Sequence, residues 1–350
     1  MSNDKKRNHL YPVFHIKKWI NNGGKVYIKK NRKIRNVKLQ EDFSLSYYYS
    51  LGQHNSVLED RISKFESVIS EVIKKIDEAC EKVVLTGKEL ELLKLYCVLC
   101  GSRQEFTSEV IKYDESGIYQ SNNFILGLHR NVNQKQVVKV TEHIMDDFDK
   151  IQAMNNDAET WLNPNMYDTK YIYSTYTMGL HLAIVRASKP ILCISDRFCI
   201  IENTLDSDFL YSYVPVSPKT AIFLVKSKYF YDYETYMKTK LRLGFKYGNG
   251  KPDPYLSVIL YKDIFHNYED RLFCSYSKVK SCVHSHDAYL TRDKVKKVTI
   301  LINNLPDDIL RQFNSIFCED GNKILFCDKD ELDKALKLKL DYRYVKIDMI

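Results

Sequence analysis

The 350-residue sequence predicts an α+β fold. Between residues 56 and 112, apolar side chains recur every three or four positions, the period of amphipathic helices. The second half instead carries short apolar runs separated by turn residues, and nowhere does a strand–helix–strand rhythm of a parallel sheet develop. The expected layout is a basic N-terminal β-hairpin, an antiparallel helical middle and a strand-rich, mostly antiparallel second half. The corresponding stretches are 1–55, packing on the core, 56–160 and 161–350, together forming one compact unit.

The order of elements follows from local signals. Pro12 restrains Tyr11 to an extended conformation and opens a helical turn over Val13 to Ile20. The runs Lys25–Lys30 and Ile34–Leu39 alternate apolar and basic residues around Asn31-Arg32-Lys33, a hairpin with one packed and one positive face. Phe43 to Tyr49 reads as a strand. Leu58, Ile62, Phe65, Ile69, Val72, Ile76 and Ala79 then line one face of a long helix, with Ser56 as N-cap and Glu59 at the capping-box position. Glu59 and Glu66, seven residues apart, share a flank of that helix.

A second helix is expected from Lys88 to Lys112, joined by a short loop over Lys82–Gly87, so that the two pack antiparallel. Arg103 follows its apolar stripe and needs an anionic partner there. A third helix spans Val132 to Met154. Strands are expected at Tyr171–Tyr176, Leu180–Ala187, Tyr213–Val216 and Ala221–Lys226, the second entering the central motif as a hairpin. That motif, Lys189 to Ile201, consists of two apolar runs broken by Ser195-Asp196; the ordinary reading of such a break is a turn. Helices at Pro306–Phe317 and Lys329–Leu338, a strand at Lys323–Cys327 and a strand-like Tyr342–Ile347 complete the chain.

Charge is the strongest functional signal. Residues 1–39 carry twelve Lys/Arg and a single acid, Asp4, so the remainder of a chain of net charge +8 is slightly acidic. A basic module on a nearly neutral body is drawn to phosphate backbones; the alternative is a lysine-rich solvated surface. No apolar run is long enough to span a bilayer and the first residues have no apolar signal core, so a soluble, cytoplasmic protein without a membrane partner is expected. Nine cysteines without a regular framework, several inside apolar runs, fit reduced thiols packed as small hydrophobes, Cys97-Val98-Leu99-Cys100 included. Cys282, His284 and His286 alternate as a strand-borne metal set would, but a polar loop is the stronger reading, and no metal ligands are assigned.

Three segments in this order, Asn8-His9-Leu10-Tyr11-Pro12 with Trp19, the helix with Glu59 and Glu66 followed by one ending at Arg103, and Ser195-Asp196 before Val214-Pro215-Val216-Ser217-Pro218, resemble the bacterial family DUF4238. Asn303 and Asn304 before a helix add to the likeness. This chain has Arg197-Phe198 where the family pattern carries a proline after the Asp. The resemblance implies a polar pocket built from His9, a helical acid, Arg103 and Asp196, and an association with mobile elements and phage defence, without an established activity.

Two functions are carried forward. In a hydrolase directed at nucleic acid or nucleotides, His9 would act as general acid or base, Asp196 would orient it or hold a divalent cation such as Mg2+, Glu66 would be a second carboxylate and Arg103 would neutralise phosphoryl charge. Lys29, Lys30, Arg32, Lys33 and Arg35 would supply affinity for the nucleic acid. In a non-enzymatic nucleic-acid- or protein-binding module, the same His, Arg and Asp would form a structural network.

Overall fold

The computed structural model describes residues 7–9, 12–20, 26–30, 33–37, 44–46, 57–103, 112–113, 119–123, 128–153, 180–195, 199–203, 209–226, 297–320 and 323–337. Helices and mixed sheets alternate irregularly along the chain, which is an α+β architecture.

Three helices form the middle. α2 (Val57–Glu78) buries Leu58, Ile62, Phe65, Ile69, Val72, Ile73 and Ile76, the predicted stripe. Ser56 lies outside the described residues. α3 (Gly87–Arg103) runs antiparallel to it: Lys75 of α2 pairs with Glu89 near the start of α3, and Phe65 meets Tyr96 further on, ring centroids 6.3 Å apart. α3 is the central helix, with every residue from Leu90 to Gly101 buried. Its start is a reciprocal capping box: Glu89 N–H donates to Thr86 Oγ1 (3.1 Å) and Thr86 N–H to Glu89 Oε2 (2.9 Å). α4 (Gln134–Ala153) closes the group through Phe148 against Phe65 at 5.0 Å and through Asp146 and Asp149, which accept from Arg61.

The stretch before α3, expected to be a loop, is instead strand β5 (Lys82–Thr86). Val83 and Leu85 are buried while Lys82 and Val84 are exposed, a half-buried period-two pattern hidden by its brevity. It pairs antiparallel with β14 (Lys297–Asn304), some two hundred residues away in sequence. That ladder ends a six-stranded sheet whose order is β11 (Ile200–Asn203), β12 (Phe209–Pro215), β13 (Thr220–Lys226), β9 (Leu180–Arg186), β14, β5. Its described ladders are antiparallel apart from β9–β14, which is parallel. The expected hairpin from β9 into the central motif does not form: β9 pairs with β13 and β14.

A second sheet has the order β10 (Ile194–Ser195), β15 (Lys323–Phe326), β2 (Val26–Lys30), β3 (Lys33–Val37). β2 and β3 form the expected hairpin, with Lys30 opposite Lys33 and only Asn31-Arg32 between them. Ile28 stands opposite Arg35 and Lys29 opposite Ile34. Opposed positions of an antiparallel pair lie on one side of the ladder, so basic and apolar positions are mixed rather than sorted as the alternation suggested.

β1 (Arg7–His9) pairs with β4 (Ser44–Ser46), and β6 (Lys112–Tyr113), β7 (Tyr119–Asn123) and β8 (Leu128–Asn133) form a three-stranded sheet. α5 (Asp307–Asp320) and α6 (Lys329–Lys337) follow β14 and β15. Phe313 of α5 stacks on Tyr213 of β12 with centroids 4.3 Å apart, packing α5 on the large sheet. One hydrophobic cluster takes in Ile16 and Trp19, α2 to α4, and strand residues as late as Leu325. The expected strands at 171–176 and 342–347 and the Cys282, His284, His286 set lie outside the described residues.

Candidate functional site

The N-terminal helix α1 (Val13–Lys17) is only five residues long and could not persist alone. Tertiary contacts hold it. Pro12, at φ −55°, sets the entry, and His15, Ile16 and Trp19 turn inward. Trp19 Nε1–H donates to the carbonyl of Leu192 at 2.8 Å. His15 Nε2 lies 2.7 Å from the carbonyl of Pro215, and the Tyr96 hydroxyl lies 2.7 Å from Nδ1. A carbonyl can only accept, so Nε2 carries the proton and Nδ1 accepts from Tyr96. Complete burial, helped by the nearby Lys18 charge and only partly offset by the Pro215 carbonyl, lowers the His15 pKa to about 3. The imidazole is therefore a neutral two-ended bridge at neutral pH.

The segment that receives Trp19 is the central motif. Its first apolar run suggests a strand from Pro190 onward, but only Ile194-Ser195 of that run enters a ladder, pairing with Leu325 and Ile324, while the second run joins the large sheet from Ile200 as β11. Side chains replace the missing ladder bonds. Asn314 of α5 accepts from Cys193 N–H at 3.1 Å and donates to the Ile191 carbonyl at 2.7 Å. Leu192 N–H donates to the Pro218 carbonyl at 2.9 Å. Ser188 donates N–H and Oγ–H to Asp307 (3.0 and 2.7 Å), and Lys189 pairs with Glu331 at 3.4 Å. Buried backbone groups are thus satisfied without regular structure. Burial would raise the Glu331 pKa, but hydrogen bonds and charge from Arg311 and Lys334 bring it down to about 2. The result is a hydrogen-bonded, non-repetitive run that ends at Ser195, fully buried, immediately before Asp196.

Of the residues singled out from sequence, His9 lies on β1 opposite Ser44, Glu66 is half-buried on α2 beside Phe65, and Arg103 is the last residue of α3. Asp196 and Arg32 lie outside the described residues. Lys29 and Lys30 occupy β2, Lys33 and Arg35 occupy β3. Contacts join α2, α3, α1 and the central segment: Phe65 meets Tyr96, Tyr96 bonds His15, and Trp19, two residues past α1, holds Leu192.

Sequence reasoning passed over His15, Tyr96 and Asn314. The spacing His15–Trp19 after Pro12, one helical turn, was a usable signal; nothing local marks Asn314, more than a hundred residues from its partners. It also missed two buried ionic features. Lys94 and Glu91, each under 5% exposed, pair at 3.2 Å within α3. Asp147 of α4 is buried, and burial, with the Asp146 charge adding to it and Lys150 opposing it, raises its pKa to about 7. Its Oδ2 has no hydrogen-bond donor. Asp147→Asn should therefore stabilise the protein at pH 8, by about 1–3 kcal/mol, and have much less effect at pH 4, where the parent carboxyl is protonated. Denaturant titrations at the two pH values measure this; equal effects would mean that Asp147 is fully solvated.

The family model for DUF4238, described as a protein of unknown function, matches residues 7–331. The chain belongs to DUF4238. The DUF4238 match begins at β1 and ends within α6, so it includes α1, the central segment and every side chain named here as holding it. Neither the curated proteins nor the solved structures contain a match to the chain. Among the described residues, no group of three or more His, Cys, Asp or Glu could hold a metal, and no helix is long and apolar enough to cross a membrane. Among the seven described cysteines there is no disulfide; Cys97 and Cys100, inside α3, are buried, and burial pushes the Cys97 thiol well above its ordinary value.

Proposed function

We propose that this DUF4238 protein acts on nucleic acid or nucleotides in the cytoplasm. The hairpin β2–β3 would provide affinity and His9, Glu66, Arg103 and Asp196 a hydrolytic site. One observation carries the reading: the basic hairpin and the strand that ends at Ser195 belong to one four-stranded sheet, joined through β15. Two features that are remote in the sequence, a cationic module and a carboxylate-bearing break, are thereby neighbours in topology. The arrangement suits phosphodiester chemistry, in which cations neutralise the substrate and an acid–base pair moves the protons. Stretches 1–55, 56–160 and 161–350 would work as a unit, consistent with the core residues they share. A role in phage defence or in a mobile element would follow from such an activity.

A second reading has its own support. The polar side chains around α1, namely His15, Tyr96, Trp19 and Asn314, all bond inward to backbone or to one another, as in a purely structural network. The protein would then bind without turnover.

The readings separate in one experiment with labelled single- and double-stranded DNA and RNA oligonucleotides, with Mg2+, at 50 and 200 mM salt. If the hydrolase reading holds, the parent cleaves, and His9→Ala and Asp196→Ala each abolish cleavage while binding persists. Binding without cleavage supports the second reading. Replacing Lys29, Lys30, Arg32, Lys33 and Arg35 by glutamine should flatten the salt dependence, by about 0.7–0.9 in logarithmic slope for each phosphate no longer neutralised. Unaltered binding by that variant would remove the nucleic-acid interface from both readings.

A further inference from the structure

Resting on the nucleic-acid reading, we infer that Lys323 of β15 joins Lys30 and Lys33 in a cationic row that binds the phosphate backbone beside the Ser195 strand end. The register assigns the row. β15 pairs with β2 at Lys323–Lys30, and β2 pairs with β3 at Lys30–Lys33, so three lysines occupy consecutive strands at one level of the ladder. The next level runs Ser195, Ile324, Lys29, Ile34. The cationic row is therefore adjacent to the level at which β10 finishes and the chain proceeds to Asp196.

Like charges directly opposite one another across a ladder are unfavourable, and here two such pairs share Lys30. A sheet carrying this row is relieved by an anion that meets all three positions. Strands lie about 4.8 Å apart, so the row covers about 10 Å. Phosphates along a nucleic-acid strand follow one another at about 3.4 Å of helix rise, so the row is matched to two or three consecutive phosphates. A single phosphate monoester carries at most about two negative charges against the three positive charges of the row, whereas a polynucleotide supplies a series of charges along it. The favoured ligand is thus a polynucleotide, with recognition through its backbone and no preference for sequence. Lys323 contributes from near the far end of the chain, outside the basic segment that composition alone identifies.

The test compares Lys323→Gln with Lys329→Gln, an exposed lysine of α6 that is not part of the row. Binding of fluorescein-labelled 12-mers is followed by anisotropy between 50 and 200 mM salt. Lys323→Gln should lower the slope of log K against log salt by about 0.7–0.9, equally for unrelated sequences, whereas Lys329→Gln leaves it unchanged. Lys323→Arg should restore the parental slope. The oligonucleotide should also raise the melting temperature of the parent more than that of Lys323→Gln, a readout internal to each folded variant. If Lys323→Gln matches Lys329→Gln while Lys30→Gln and Lys33→Gln lower the slope, the row is wrong and the hairpin reading stands. A parent without salt-dependent binding overturns both.

Discussion

Trp19→Ala should lower the unfolding free energy by about 3–5 kcal/mol, the usual cost of truncating a buried tryptophan. The side chain is completely buried, so the substitution leaves a cavity that its neighbours fill only in part. It also removes the donor to the Leu192 carbonyl, an acceptor inside a segment with no ladder to replace it. Trp19→Phe separates the two contributions. It keeps most of the volume and loses the N–H, and should cost about 1–3 kcal/mol, the penalty for an unsatisfied buried polar group. Urea titrations followed by far-UV circular dichroism give both values. A loss below about 1 kcal/mol for Trp19→Ala would mean that α1 is not docked as described.

Acid should unfold the protein through His15 before its carboxylates are exhausted. The ordinary imidazole value is 6.5 and the folded value about 3. Between these limits the unfolded chain takes up a proton that the native protein refuses, so stability falls as pH falls, with a limiting slope of about 1.4 kcal/mol per pH unit. Above pH 6.5 both states are neutral at this residue and it imposes no pH dependence. Asp147 acts in the opposite sense. Its folded value of about 7 exceeds the ordinary 3.8, so the native protein holds the extra proton and gains stability as pH falls across that range. The two slopes oppose each other between pH 3.8 and 6.5. Asp147→Asn should therefore uncover a steep His15 limb there, and His15→Gln in the same background should flatten it. Parallel curves for the two proteins would show that His15 titrates alike in both states.

Much of the fold was legible because it rests on periodicity. The stripe from Leu58 to Ile76 and the Val26–Val37 hairpin are signalled by residues within a few positions of one another. β5 was misread for the converse reason. Five residues between two strong helices show too little alternation to compete with a loop, and the partner that makes them a strand is β14. The central motif was misread in its details for a related cause. Apolar, β-branched residues fit a buried strand, but Ile191, Leu192 and Cys193 find their partners in Trp19, Pro218 and Asn314. The candidate residues stand out in the sequence only as charge and as isolated polar side chains. Which elements would adjoin it depended on pairings such as β15 with both β10 and β2, which leave no trace in local spacing.

The bonds that fix residues 188–193 come from both directions along the chain, from Trp19 173 residues earlier and from Asn314 121 and 123 residues later. A polypeptide emerging from the ribosome can therefore complete the α2–α3 pair early but must wait for α5 before this run can settle. Closures over such distances are slow, and fragments ending before residue 314 should keep the run open to proteases while the helices already resist. Maturation of the region around Ser195 is thus timed by the synthesis of α5.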